Sequence, residues 1–120
     1  QSDLAIQKFL NKNECLNDKL TKAQMEYIIK AYASHDDNRN EFIHQLKFYA
    51  KDLTPTSTII CILYHEHFTD EDIIQKLHYE PKNFRMAKSR ARAALDTIGN
   101  AQTKLIQKLL KRFDYKKESK

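Results

Sequence analysis

Glycine occurs once in the 120 residues, proline twice, and valine and tryptophan not at all. Sheet architectures draw on β-branched valine for their strands and on glycine and proline for their turns, so this scarcity points away from β folds and toward helices. Cysteine is equally sparse: Cys15 and Cys61 stand alone, with no second thiol at metal-ligand spacing and no further pair to build a disulfide framework. Two isolated thiols suit a reducing compartment. No window approaches the roughly 18 apolar residues of a membrane span, and the N-terminus has no signal-like apolar run. The expected protein is therefore all-α, cytoplasmic and without a membrane partner. Its length allows one core and leaves no room for a separate cofactor domain.

What the chain has in quantity is charge, and the charge is divided along it. Residues 1–80 hold nine Lys/Arg and thirteen Asp/Glu, whereas residues 81–120 hold twelve and three, so the two parts carry −4 and +9 within a net of +5. The basic third is an electrostatic footprint for a polyanion.

Helical spacing organises the rest. Leu4, Ile6, Phe9 and Leu10 mark a first helix ending at the Asn-rich break of residues 11–13. Thr21 is placed to cap a second, with Met25, Ile28, Ile29 and Tyr32 repeating to Ser34. The polar run His35 to Asn40 reads as a loop, followed by a stripe of Phe42, Ile43, Leu46, Tyr49, Ala50 and Leu53. Thr54 before Pro55 is a cap followed by proline at the first helical position, where no amide donor is needed. That helix carries Ile59, Ile60, Ile62, Leu63 and Tyr64. Thr69 with Asp70, Glu71 and Asp72 opens another whose acids suit the positive end of the helix dipole. Glu80 and Pro81 repeat the cap-then-proline signal, and only His78, Tyr79 and Glu80 separate the two helices.

The helix from Pro81 to Leu95 carries five cations and no acid. On a wheel at about 100° per residue, Phe84, Ala87, Ala91, Leu95 and Ile98 share one side. Lys82, Met86, Ser89 and Ala93 fall opposite, flanked by Arg85 and Arg90; Lys88 sits near the apolar side and is expected to snorkel from its edge. Beyond Gly99, Leu105, Ile106, Leu109, Leu110 and Phe113 form a last amphipathic segment. The steps Leu95, Ile98, Gln102, Leu105 and Leu109 would also suit one long helix, which Gly99 would weaken by roughly 1 kcal/mol. This segment either packs onto the chain's own helices or forms a homodimer seam through Leu95, Ile98, Leu105 and Leu109. The tail Lys116 to Lys120 is expected to fray.

Catalytic and metal chemistry find no foothold. The acid clusters fall in a polar stretch and a helix first turn, and neither a Gly-rich phosphate loop nor a nucleophile context accompanies them. In His65-Glu66-His67 the two imidazoles are two residues apart and diverge on a helix, and Cys61 with His65 supplies two ligands at most. No enzyme activity, metal or cofactor is expected.

Leu53-Thr54-Pro55, the apolar helix, Thr69 through Ile73, Leu77, Tyr79, Asn83-Phe84-Arg85 and Arg90-Ala91-Arg92 with Leu95 together resemble the helix-turn-helix of sigma-factor region four and the LuxR-type regulators. The Leu-Thr-Pro opening is similar to the LuxR type, and Ser89 to Arg92 to the sigma type. The resemblance implies a scaffold helix at 55–67, a second helix at 70–77 and a recognition helix at 81–95 in the major groove. It places Lys82, Asn83, Arg85 and Ser89 near base edges or adjacent phosphates, Thr69 and Arg90 on the backbone, and Arg92 on the same DNA-binding surface. Ile74 stands where that superfamily has a small residue, and His78 where it has a turn glycine.

The expected architecture is one helical domain of about five to seven helices at ordinary helix length. Its parts are an N-terminal helical region at 1–52, the helix-turn-helix at 53–98 and a basic helix and tail at 99–120. The expected function is a DNA-binding transcription regulator acting on double-stranded DNA, of the small phage or mobile-element type. The alternative is a protein-interaction module that grips RNA polymerase or another regulator without reading DNA. An RNA-binding role is weaker, because no aromatic stacking platform accompanies the cations.

Overall fold

In the computed structural model, residues 2–99 and 103–115 are described, and they form seven helices and no strand. In chain order these are α1 (Ser2–Phe9), α2 (Lys22–Ala33), α3 (Asp37–Tyr49), α4 (Pro55–His65), α5 (Asp70–Leu77), α6 (Pro81–Asp96) and α7 (Lys104–Asp114). Gln102 and the tail from Lys116, which figure in the sequence expectations, lie outside the described residues.

The threonine caps act as the sequence indicates. Thr21 and Gln24 close a capping box at α2, and Thr69 and Asp72 close another at α5, so side chains satisfy amides that a helix start leaves unpaired. Thr54 accepts from the Ser57 amide at 3.2 Å, with Pro55 at the first helical position of α4. Glu80 differs: its side chain makes no capping bond, and α6 relies on Pro81 alone.

Two boundaries depart from expectation. The polar run read as a loop is helical from Asp37, because the Asp36 carboxylate accepts from the Arg39 amide at 2.9 Å and starts α3. Asn40 then donates to the Ala33 carbonyl at 3.0 Å, so polar residues stitch the α2–α3 corner where no apolar spacing could reveal it. At the other end no single long helix runs from Leu95 to Leu109: α6 stops at Asp96, Gly99 takes the left-handed conformation with φ 62°, and Thr103 caps α7.

The break folds α7 back onto α4, which is the centre of the molecule. Every residue of α4 from Ser57 to Tyr64 is buried, as expected of a helix apolar on all sides, and α2, α6 and α7 pack around it. Burying its isoleucines, Leu63 and Tyr64 contributes on the order of 10 kcal/mol before entropy is charged against it. The same packing removes the homodimer seam. Leu95, Ile98 and Leu109 are buried in the chain's own core and Leu105 packs half-buried against it, so a second copy has no such stripe to meet.

One buried cation fixes the N-terminal segment. Lys76 on α5 is 2% exposed, and its ammonium donates to the carbonyls of Lys8 at 3.3 Å, Asn11 at 2.7 Å and Glu14 at 2.5 Å. These carbonyls belong to the last turn of α1 and the segment after it, where no helical amide is available to them. Burial holds the Lys76 ammonium below its ordinary pKa. Its position between Ile73 and Leu77 puts it on the apolar side of α5, which is the signal in the sequence for an inward lysine.

No helix among the described residues is long and apolar enough to cross a membrane.

Candidate nucleic-acid interface

The α5–α6 corner depends on a residue in an unusual conformation. His78 takes φ 59° and ψ 42°, the left-handed region that glycine enters most easily and histidine more readily than most residues. Its amide and that of Tyr79 both donate to the Ile74 carbonyl, ending α5, and its ring Nε2 contacts the Leu16 carbonyl. His78 therefore supplies the backbone turn that the resemblance assigns to glycine, with its ring tied to the N-terminal segment. Tyr79 then packs against Phe84, ring centres 5.7 Å apart, and sets the start of α6.

The inward side of α6 is held by burial and by one polar clamp. Phe84, Ala91 and Leu95 are buried, with Ala87 half-buried beside them. Lys88 does more than snorkel: its ammonium lies 3.0 Å from Asp70 Oδ2 and 5.8 Å from the centre of the Tyr64 ring. The Tyr64 hydroxyl donates to the other oxygen of Asp70 at 2.6 Å. This clamp joins α4, α5 and α6 through one carboxylate. Burial first, then the Asp70 hydrogen bond, pushes the Tyr64 hydroxyl pKa up.

The outward side agrees with the helical wheel. Lys82, Asn83, Arg85, Met86, Ser89, Arg90 and Ala93 are all exposed, over an arc of roughly 160° at 100° per residue. From Lys82 to Ala93 the strip runs about 16 Å, comparable with a major groove about 12 Å wide. Among the described residues Lys82, Arg85 and Arg90 make no ion pair, so three cations face solvent without compensation. Met86, 47% exposed, sits in the middle of them.

Two residues assigned to this surface are engaged elsewhere. Arg92 grips Asp114 of α7 with two parallel bonds, Nε to Oδ1 at 3.0 Å and Nη2 to Oδ2 at 3.2 Å, and reaches Asp96 at 2.5 Å. A bidentate guanidinium–carboxylate pair is geometrically specific, and it holds the Asp114 carboxyl below the usual carboxylate range. Arg92 ties α6 to α7; its partner is 22 residues away, beyond any local pattern. Thr69 is exposed, but its hydroxyl accepts from the Asp72 amide and serves as the α5 cap.

No protein-family model matches the chain, and comparison with curated proteins and with solved structures returns no match.

The motif His65-Glu66-His67 is built into the fold. His65 stacks on Phe42 with ring centres 3.9 Å apart, and burial lowers its pKa. Glu66 accepts from the Tyr32 hydroxyl at 2.5 Å and from Arg39 at 3.2 and 3.3 Å. His67 takes φ 71°, and its carbonyl accepts from Lys12 at 2.8 Å. Cys61 is buried, which pushes its thiol pKa up and leaves it inert. Among the described residues no group of three or more metal-ligating side chains converges.

Proposed function

We infer that this chain is a DNA-binding transcription regulator that acts by binding rather than by catalysis, with α5 and α6 forming a helix-turn-helix and α6 entering the major groove. The observation that carries this reading is the acid-free outer strip of α6, with Lys82, Arg85 and Arg90 uncompensated and small residues between them. Phosphate contact would come from these cations and from Lys104, which is exposed at the start of α7. Lys82, Asn83, Arg85 and Ser89 would meet base edges or adjacent phosphates, while Arg92, held by Asp114, would fasten α7 instead of touching DNA. The reading fits a small regulator of phage or mobile-element type working in the reducing cytoplasm, where Cys15 and Cys61 remain thiols.

Electrophoretic mobility shift of genomic fragments separates these roles. Arg85→Ala should lower discrimination between fragments by roughly 1–3 kcal/mol. Arg92→Ala should leave discrimination unchanged and lower thermal stability instead. Equal loss of discrimination in both variants would contradict the assignment.

Exposed Met86 favours a second reading, in which the same strip grips RNA polymerase or another regulator, since an apolar centre ringed by cations also suits a protein partner. Capture of a stoichiometric partner from nuclease-treated host lysate, abolished by Met86→Glu, would favour it over DNA.

A further inference from the structure

A cavity of about 500 Å³ lies between the C-terminal end of α4 and one face of α7, away from the outer strip of α6. None of the α6 residues lines it. Its size falls in the range of small-molecule sites. Three permanent cations line it, Lys108, Lys111 and Arg112, together with the imidazoles of His65 and His67, and no carboxylate does. The remaining wall is apolar, made by Tyr64, Leu105 and Leu109.

Arg112 is anchored in this wall from one side. Its Nη2 donates to the Phe68 carbonyl at 2.9 Å, which anchors the guanidinium, but its Nε is buried and has no hydrogen-bond partner. The carbonyls at the end of α4 do not oppose an anion as an open helix C-terminus would: those of Ile62, Leu63 and Tyr64 already accept from the amides of Glu66, Phe68 and His67.

We propose that this cavity binds a small organic phosphate, its phosphoryl oxygens on Arg112, Lys108 and Lys111 and its ring or chain against half-buried Leu105, with Tyr64 and Leu109 closing the wall behind it. The division of the wall into a cationic end and an apolar end selects a molecule that has both parts, over inorganic phosphate or a neutral ring. Because α4 also packs on α6 and forms the Tyr64–Asp70–Lys88 clamp, an occupant at the end of α4 lies beside the support of the outer strip.

The test is isothermal titration calorimetry of the full chain with AMP, adenosine and inorganic pyrophosphate at low salt. AMP is expected to bind saturably at one site, adenosine not at all, and pyrophosphate at least tenfold more weakly than AMP. Lys108→Ala, an exposed position whose loss leaves the fold intact, should weaken AMP at least tenfold. Leu105→Ala should weaken AMP while leaving pyrophosphate unchanged. Absence of saturable heat with AMP would overturn the proposal, as would AMP binding that is unaffected by Lys108→Ala. Competitive displacement of AMP by a short DNA duplex would assign these cations to the DNA backbone and overturn it too.

Discussion

Replacing Lys76 by methionine tests whether a buried ammonium holds the N-terminal segment or burdens it. Methionine keeps most of the stem's volume and removes the three bonds to backbone carbonyls. The cost is uneven. The Lys8 carbonyl also accepts from the Asn11 amide at 3.3 Å, and the Asn11 carbonyl from the Glu14 amide at 3.1 Å, so both keep a partner. The Glu14 carbonyl, on an exposed residue, loses a charge-assisted bond worth about 1.5–3 kcal/mol. Against this, methionine avoids desolvating an ammonium, a penalty of several kcal/mol that the present carbonyls offset only in part. With three donors each matched to an acceptor, the bonds should win, and Lys76→Met should lose about 2 kcal/mol, near 8 °C in Tm for a chain of this size. Lys76→Ala should lose roughly 2 kcal/mol more through the cavity it leaves. Urea unfolding followed by far-UV circular dichroism measures both. A methionine variant as stable as the parent, or more stable, would refute the reasoning and show desolvation to dominate.

Other outcomes follow from the same contacts. Burial and acceptance by Glu66 and Asp70 hold the Tyr32 and Tyr64 hydroxyls protonated well above the usual tyrosine range near 10. Their stabilising effect is complete below about pH 10 and is lost as pH rises further, because the unfolded chain releases those protons first. Lys76, depressed by burial, acts in the opposite direction, so the comparison of Tyr32→Phe with the parent isolates the tyrosine: its alkaline loss should be shallower, and an identical loss would contradict the burial argument. Gly99 has φ 62° and open space where a Cβ would stand, so Gly99→Ala should cost about 1 kcal/mol through backbone strain alone. A stabilised alanine variant would mean that α6 and α7 prefer to join.

The parts of the fold legible in the sequence are those determined within one or two turns of helix. Thr21, Thr54 with Pro55, and Thr69 mark helix starts because a hydroxyl reaches an amide three residues on. The two faces of α6 follow from the spacing of Phe84, Ala91 and Leu95. Asp36 is a cap of the same kind, but the following turn, Asp37 to Asn40, has no apolar residue to extend a stripe backward, so it reads as loop. The wheel sets Lys88 apart from the other α6 charges but does not name its partner: Asp70 and Asp114 neutralise Lys88 and Arg92 from 18 and 22 residues away. Only the three-dimensional arrangement separates the uncompensated cations, Lys82, Arg85 and Arg90, from those that hold helices together. The Lys76 carbonyl cage, spanning 62 to 68 residues, is similarly beyond local spacing.

Binding of DNA through the outer cations of α6 makes affinity depend steeply on salt. Three uncompensated cations on α6, or four with Lys104, imply a slope of log Kobs against log salt between about −2.7 and −3.6 per chain. Affinity for a DNA duplex should accordingly fall by roughly 40-fold to 150-fold between 50 and 200 mM salt. In the Lys82, Arg85 and Arg90 triple alanine variant the slope should become shallower by nearly 3. A duplex that does not bind at low salt, or a slope unchanged in that variant, would contradict the account of α6 as a nucleic-acid interface.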